Sequence, residues 1–111
     1  MLVKSSIDIS LSGATTVCCL LVGEHLFTAN LGDSRAILCQ KLNQDWTLHQ
    51  LSQDHKPCLP LEKKRIIAAG GKVQKLRDPR LGWVGPSRVW QRNGLIPGLA
   101  MSRSFGDLMA A

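Results

Sequence analysis

The feature that most constrains the fold is the length of the apolar runs: each is short, and each is cut off by glycine and aspartate. Thr15 to Val22 reads TTVCCLLV, almost continuously β-branched and apolar, and ends at Gly23-Glu24-His25. Leu26 to Leu31 resumes the pattern, Gly32-Asp33-Ser34 breaks it, and Ala36 to Cys39 resumes it again. Such runs read as antiparallel strands joined by hairpins. Their two-sided apolar character predicts a sheet covered on both faces. Trp46 to Leu51 alternates well enough to be a fourth strand.

The texture changes at Asp54. Pro57 and Pro60 flank a turn, and Pro60 suits the first position of a helix, where its missing N–H costs little. Leu61 to Ala69 follows with good helix formers and Glu62 in the first turn, where a carboxylate complements the helix dipole. Gly70-Gly71 predicts a left-handed stop. From Lys72 to Gly98 the pattern dissolves into turn signals at Asp78-Pro79, Gly82, Gly85-Pro86, Asn93-Gly94 and Pro97-Gly98, so this stretch is expected to be mostly loop. Leu81, Trp83, Val84, Val89 and Trp90 anchor it, and a long turn-rich segment in a small domain points to function. Leu99 to Phe105 is expected to form a last short strand, with a helix starting after Asp107.

A chain of 111 residues holds one small domain, of marginal stability if alone. An apolar share of 44% with 20% charged residues argues against disorder. With an aromatic share of 5%, the core is expected to come from Leu, Ile, Val and Ala. The four cysteines include no CxxC pair, which excludes a zinc ribbon and a thioredoxin-like motif. They are expected to be buried free thiols, suited to a reducing cytoplasm or nucleus. No apolar run reaches the ~18 residues of a membrane span, and MLVKSSIDIS lacks the apolar stretch of a secretory signal.

The net charge is +6, and 11 of the 14 Lys and Arg residues lie between Lys56 and Arg103. A basic half-surface attracts polyanions or phosphorylated partners; a solvated basic face, or one half of a larger domain, is the plainer account. Nucleic-acid binding is disfavoured because stacking aromatics do not interleave with the charges.

Among single residues, Asp33 sits on a tight turn between strands, where a carboxylate suits a hard cation or a metal-bound water. Acceptance of N–H bonds within its own turn is the simpler role. Ser52, Asp54 and His55 lie too close in sequence for a catalytic triad and are expected to cap or turn the backbone. His25 and His49 have no partner at metal-ligand spacing. Gly13 with Ala14-Thr15-Thr16 lacks the Lys and glycine spacing of a phosphate loop. Arg88 and Arg103 each suit a bidentate grip on phosphate, with salt bridges to Asp78 or Asp107 as the plainer alternative.

The specific signal is an ordered series of motifs: Ser12-Gly13-Ala14-Thr15-Thr16, then Ala29-Asn30-Leu31-Gly32-Asp33-Ser34-Arg35-Ala36, then Gln53-Asp54-His55-Lys56-Pro57. Leu61-Glu62-Lys63-Lys64-Arg65-Ile66 with Gly70-Gly71-Lys72-Val73 follows, then Arg88-Val89, and Pro97 to Asp107 (PGLAMSRSFGD) closes the series. This order and spacing closely resembles the protein phosphatase 2C family (PPM-type), over almost the whole chain from Ser12 to Asp107.

The resemblance implies an α+β fold, a partial α-β-β-α sandwich of antiparallel sheets flanked by helices, with residues 1–111 forming a central segment of the domain. It implies hydrolysis of phosphoserine and phosphothreonine on protein substrates with Mg²⁺ or Mn²⁺. Asp33 corresponds to a carboxylate near the metal cluster, and the segment of about residues 72–98 to a flap near the substrate, with Arg88 a candidate substrate contact. The family's Asp-Gly-His-Gly-Gly segment and its later Asp-Gly and Gly-Asp-Asn segments do not occur in these 111 residues. The chain alone is therefore expected to be inactive and to leave sheet edges and apolar faces uncovered. A non-catalytic relative that binds phosphorylated partners through the basic flap is the alternative.

Overall fold

The structure is a computed structural model and describes residues 4–110. Those residues form short antiparallel ladders and one α-helix. Strand β1 is Gly13–Ala14, β2 Thr16–Val22 and β3 His25–Leu31. Strands β4 (Ile37–Leu42) and β5 (Asp45–Gln50) precede helix α1 (Pro60–Ala68). Then come β6 (Lys72–Asp78), β7 (Gly82–Trp90), β8 (Pro97–Leu99), β9 (Phe105–Gly106) and a 3-10 turn at Leu108–Ala110. The pairings are β2 with β3, β4 with β5, β6 with β7 with β8, and β1 with the distant β9.

Strands β2 to β5 fall where the apolar runs and their turns place them. In the β2–β3 hairpin Thr16 pairs with Leu31 and Val22 with His25. In β4–β5, Ile37 pairs with Gln50 and Leu42 with Asp45. Helix α1 also begins as expected: Pro60 is its first residue, Glu62 lies in the first turn, and Gly70 follows the last turn in a left-handed conformation. Among the described residues only the short 3-10 turn follows Asp107, in place of the expected helix, and Leu99 to Phe105 is not one strand, since β8 ends at Leu99 and β9 begins at Phe105.

Three further expectations need correction. Residues 72–98 are not mostly loop, because β6 and β7 form a long hairpin there. The ladder shifts between Gln74 and Leu76, opposite Gly85-Pro86-Ser87; proline has no N–H to contribute, so pairing lapses there and then resumes. The turn signals are real, but they mark the β6–β7 turn, one bulge within paired strands and the β7–β8 connection. Second, the sheet of β2 and β3 is not covered on both faces. Leu20, Leu21 and Phe27 are exposed, as are Ile37, Leu42 and Trp46 on the next hairpin. Third, all four cysteines are free but exposed, since three of them lie on those uncovered strands; burial therefore no longer argues for a compartment.

The core is small and lies where α1 meets the β6–β7–β8 sheet. Ile66, Val89 and Trp90 are buried there, and Pro57 is enclosed completely. Trp90 enters a core expected to be aliphatic because its indole N–H donates to the Gln74 carbonyl at 2.8 Å, which satisfies the one polar group it brings. The radius of gyration is 17.4 Å, against about 13 Å for a compact chain of this length. The accessible surface of 8482 Å² likewise exceeds the roughly 6,000 Å² of a compact monomer of this mass. The excess area belongs to the splayed hairpins. Among the described residues no helix is long and apolar enough to cross a membrane.

Candidate functional site

The ends of the strands, rather than their middles, bring the motifs together. Gly32 holds a positive φ of 103°, and a Cβ there would lie 2.2 Å from the Thr15 methyl carbon. Only glycine fits, in conformation and in space. Thr15 and Ser34 hydroxyls meet at 2.7 Å across the same junction. Gly13 plays the matching part against the far end of the chain: a Cβ on it would overlap the Asp107 carboxylate at 1.9 Å. The β1–β9 pair is thus a backbone-to-backbone approach, closed by the Asp107 N–H donating to the Ser12 carbonyl at 2.9 Å.

The Gly32-Asp33-Ser34-Arg35 turn docks onto the segment 52–56 through several polar bonds. The Gly32 N–H donates to His55 Nδ1 at 3.0 Å, and the His55 N–H returns to the Gly32 carbonyl at 2.9 Å. The Asn30 amide donates to the Gln53 carbonyl at 2.9 Å, and the Ala36 N–H to the Ser52 hydroxyl at 2.8 Å. Arg35 grips Asp54 with two hydrogen bonds of 2.8 Å. That grip, ahead of all else, holds the Asp54 carboxyl below the usual carboxylate range. Ser52 and His55 therefore fix the backbone, as expected, whereas Asp54 serves as the side-chain partner of Arg35, and the three do not form a nucleophilic constellation.

Asp33 is carried at the head of this turn, and its partly exposed carboxylate accepts a hydrogen bond from the Lys56 ammonium. The local N–H acceptor role is not the one it takes here. Among the described residues no three His, Cys, Asp or Glu side chains gather as a metal site would require. A divalent magnesium- or calcium-like ion takes about six or more oxygen ligands. One carboxylate already facing an ammonium does not fit such an ion by itself.

Arg88 lies on β7 opposite Gln74. Its guanidinium donates to the Gly98 carbonyl at 2.7 Å, and its buried Nε has no hydrogen-bond partner. No bond joins Arg88 to the Asp33 turn among the described residues. The expected salt bridges to Asp78 or Asp107 do not form. Asp78 instead accepts the N–H groups of Arg80 and Leu81, which lower its pKa with Leu81 the larger cause. Asp107 accepts the Ser104 hydroxyl at 2.6 Å.

Arg103 goes to Glu62, a residue the sequence marks only as a dipole partner. Arg103 makes two hydrogen bonds to this buried carboxylate, at 3.0 and 2.6 Å. Arg65 adds one at 3.0 Å and the Ser102 hydroxyl one at 2.7 Å. Arg103 foremost, then Arg65 and Ser102, outweigh desolvation and bring the Glu62 pKa down from 4.5 to about 2. Arg65 also reaches the Ser102 carbonyl at 2.5 Å, and the Ser102 N–H donates to the His55 carbonyl at 2.8 Å. A continuous polar relay therefore runs from Gly32 through His55 and Ser102 to Glu62. One signal foretells the carboxylate's burial: Glu62 is four residues before Ile66, so the two share the inward face of α1.

Antiparallel ladders tied at their ends by a polar relay, with one helix, define an α+β fragment built to hold loops rather than a cavity. The chain belongs to the protein phosphatase 2C family: the profile described as Protein phosphatase 2C matches residues 2–110. It is 42% identical over 106 residues to "Probable protein phosphatase 2C 12" of Oryza sativa subsp. japonica, covering 95% of this chain and 26% of that protein. It is 45% identical over 102 residues to "Probable protein phosphatase 2C 73" of Arabidopsis thaliana, covering 91% of this chain and 26% of the relative. "Probable protein phosphatase 2C 35" of Arabidopsis thaliana is 38% identical over 120 residues, covering 96% and 34%. The chain thus spans about a quarter to a third of the length of these curated relatives.

Proposed function

We propose that this chain is one part of a Mg²⁺- or Mn²⁺-dependent protein phosphatase that hydrolyses phosphoserine and phosphothreonine on protein substrates. The observation that carries the reading is the convergence of the family's motifs on one polar relay, with Asp33 held at its head by bonds to segment 52–56. In this reading Asp33 is a metal-proximal carboxylate, and the other ligands come from outside residues 4–110. Residues 72–98 serve as the substrate-side flap, with Arg88 as a substrate contact. The uncovered hairpin faces are the inner faces of an α-β-β-α sandwich.

The 111-residue chain alone is expected to show no Mn²⁺-dependent hydrolysis of a phosphothreonine peptide; turnover by it would overturn the claim that one carboxylate is insufficient. In a complete protein containing this segment, Asp33→Ala is expected to lower turnover and shift the Mn²⁺ titration to higher concentration. An unchanged titration would reduce Asp33 to an ion-pair partner of Lys56. The ammonium beside Asp33 also favours a second reading, a non-catalytic phosphatase-like module that binds phosphorylated partners. Measurable turnover by the complete protein would dismiss it.

A further inference from the structure

The hairpin of β6 and β7 carries a groove that the polar relay does not use. Leu76, Trp83, Trp90 and Leu95 are its apolar lining, around a volume of 380 Å³. That is room for one large apolar side chain, at the low end of ligand-site volumes. Leu76, Trp83 and Leu95 are all exposed, Leu95 at 87%. Lys72, Lys75 and Arg77 line the same groove. Arg77 is paired directly across from Trp83 and lies over its ring at 5.8 Å. This cation–π contact fixes the guanidinium plane but leaves its N–H edge available.

The electrostatics of the groove are one-sided. Residues 72–98 contain six cations and one acid, Asp78, and the Asp78 carboxylate is taken by the Arg80 and Leu81 N–H groups. Among the described residues the side-chain cations of Lys72, Lys75 and Arg77 have no ion-pair or hydrogen-bond partner. Three unneutralised cations around an exposed apolar floor complement an acidic peptide bearing one large apolar residue. We propose that this groove docks such a peptide, with the apolar side chain over Trp83 and Leu95 and flanking carboxylates on Lys72, Lys75 and Arg77.

The groove shares no lining residue with the Asp33 turn, so docking adds to the reading of residues 72–98 as a binding segment without depending on catalysis. Fluorescence anisotropy of a labelled Asp/Glu nonapeptide with one central Phe, titrated with the 111-residue chain, tests it. Binding is expected to weaken about tenfold when the peptide Phe becomes Ala, or when Trp83→Ala is introduced. It is expected to weaken by a similar factor, about tenfold, between roughly 0.05 and 0.5 M NaCl. Leu95→Ser, at a surface position, separates groove loss from misfolding and should also weaken binding. Equal binding of the Phe and Ala peptides would overturn the proposal, as would tighter binding of an RNA oligonucleotide or no effect of Lys75→Glu. Failure here would leave the phosphatase reading intact, and failure of the Mn²⁺ assays would leave the groove intact.

Discussion

The relay and the β2–β3 and β4–β5 hairpins are built from the same chain by opposite means. The hairpins satisfy their backbone through near-neighbour pairing, yet most of their residues stay exposed. The relay has little regular structure, yet it joins residues far apart in sequence, Glu62 to Arg103 and Gly32 to His55, through buried or half-buried polar bonds. Hairpin formation needs only local pattern, whereas the relay needs every partner in place. Substitutions should therefore weigh unequally on the two regions, and the inequality can be measured.

The largest effect is expected at Glu62. Glu62→Ala leaves Arg103 and Arg65 without their shared carboxylate and should cost about 3 kcal/mol, read as a lower urea midpoint. A loss no greater than that of a surface change would mean the relay is not what holds the loops. Gly32→Ala should follow, at about 2 kcal/mol, from a strained φ and the close Thr15 methyl. Smallest is Leu20→Ser on the open hairpin, expected within about 0.5 kcal/mol because the side chain is already in water. A large loss there would show that the face is covered in solution.

Acid sharpens the same contrast. Glu62 has a pKa depressed from 4.5 to about 2, so its contribution is fully present above 4.5 and fades as pH falls towards 2. Stability measured over that window should drop in the native chain, and the drop should be smaller in Glu62→Gln. No difference between the two would place the acid-sensitive charge elsewhere.

Strand and turn periodicity was enough to place β2 through β5, and Pro60 with Gly70 bracketed α1, because each depends on neighbours a few residues away. The β6–β7 hairpin was hidden for a local reason as well: Gly85-Pro86 is a turn signal whether it closes a hairpin or opens a bulge, and only the pairing of Val84 with Leu76 and of Arg88 with Gln74 decides which. Glu62 was legible as a first-turn acid but not as a hub, since its partner Arg103 lies 41 residues away. Arg103 itself read as a phosphate ligand or, more plainly, as a partner of Asp78 or Asp107.

What the sequence determined by itself is the set of local elements and, through the order of its motifs, the family. The tertiary structure decided which charges meet: Asp33 with Lys56, Asp54 with Arg35, Glu62 with Arg103. The physical reason is range. Backbone hydrogen bonding and hydrophobic periodicity are written within a few residues, whereas an ion pair depends on how distant loops are brought together, and that is settled only once glycines such as Gly13 and Gly32 let the backbones approach.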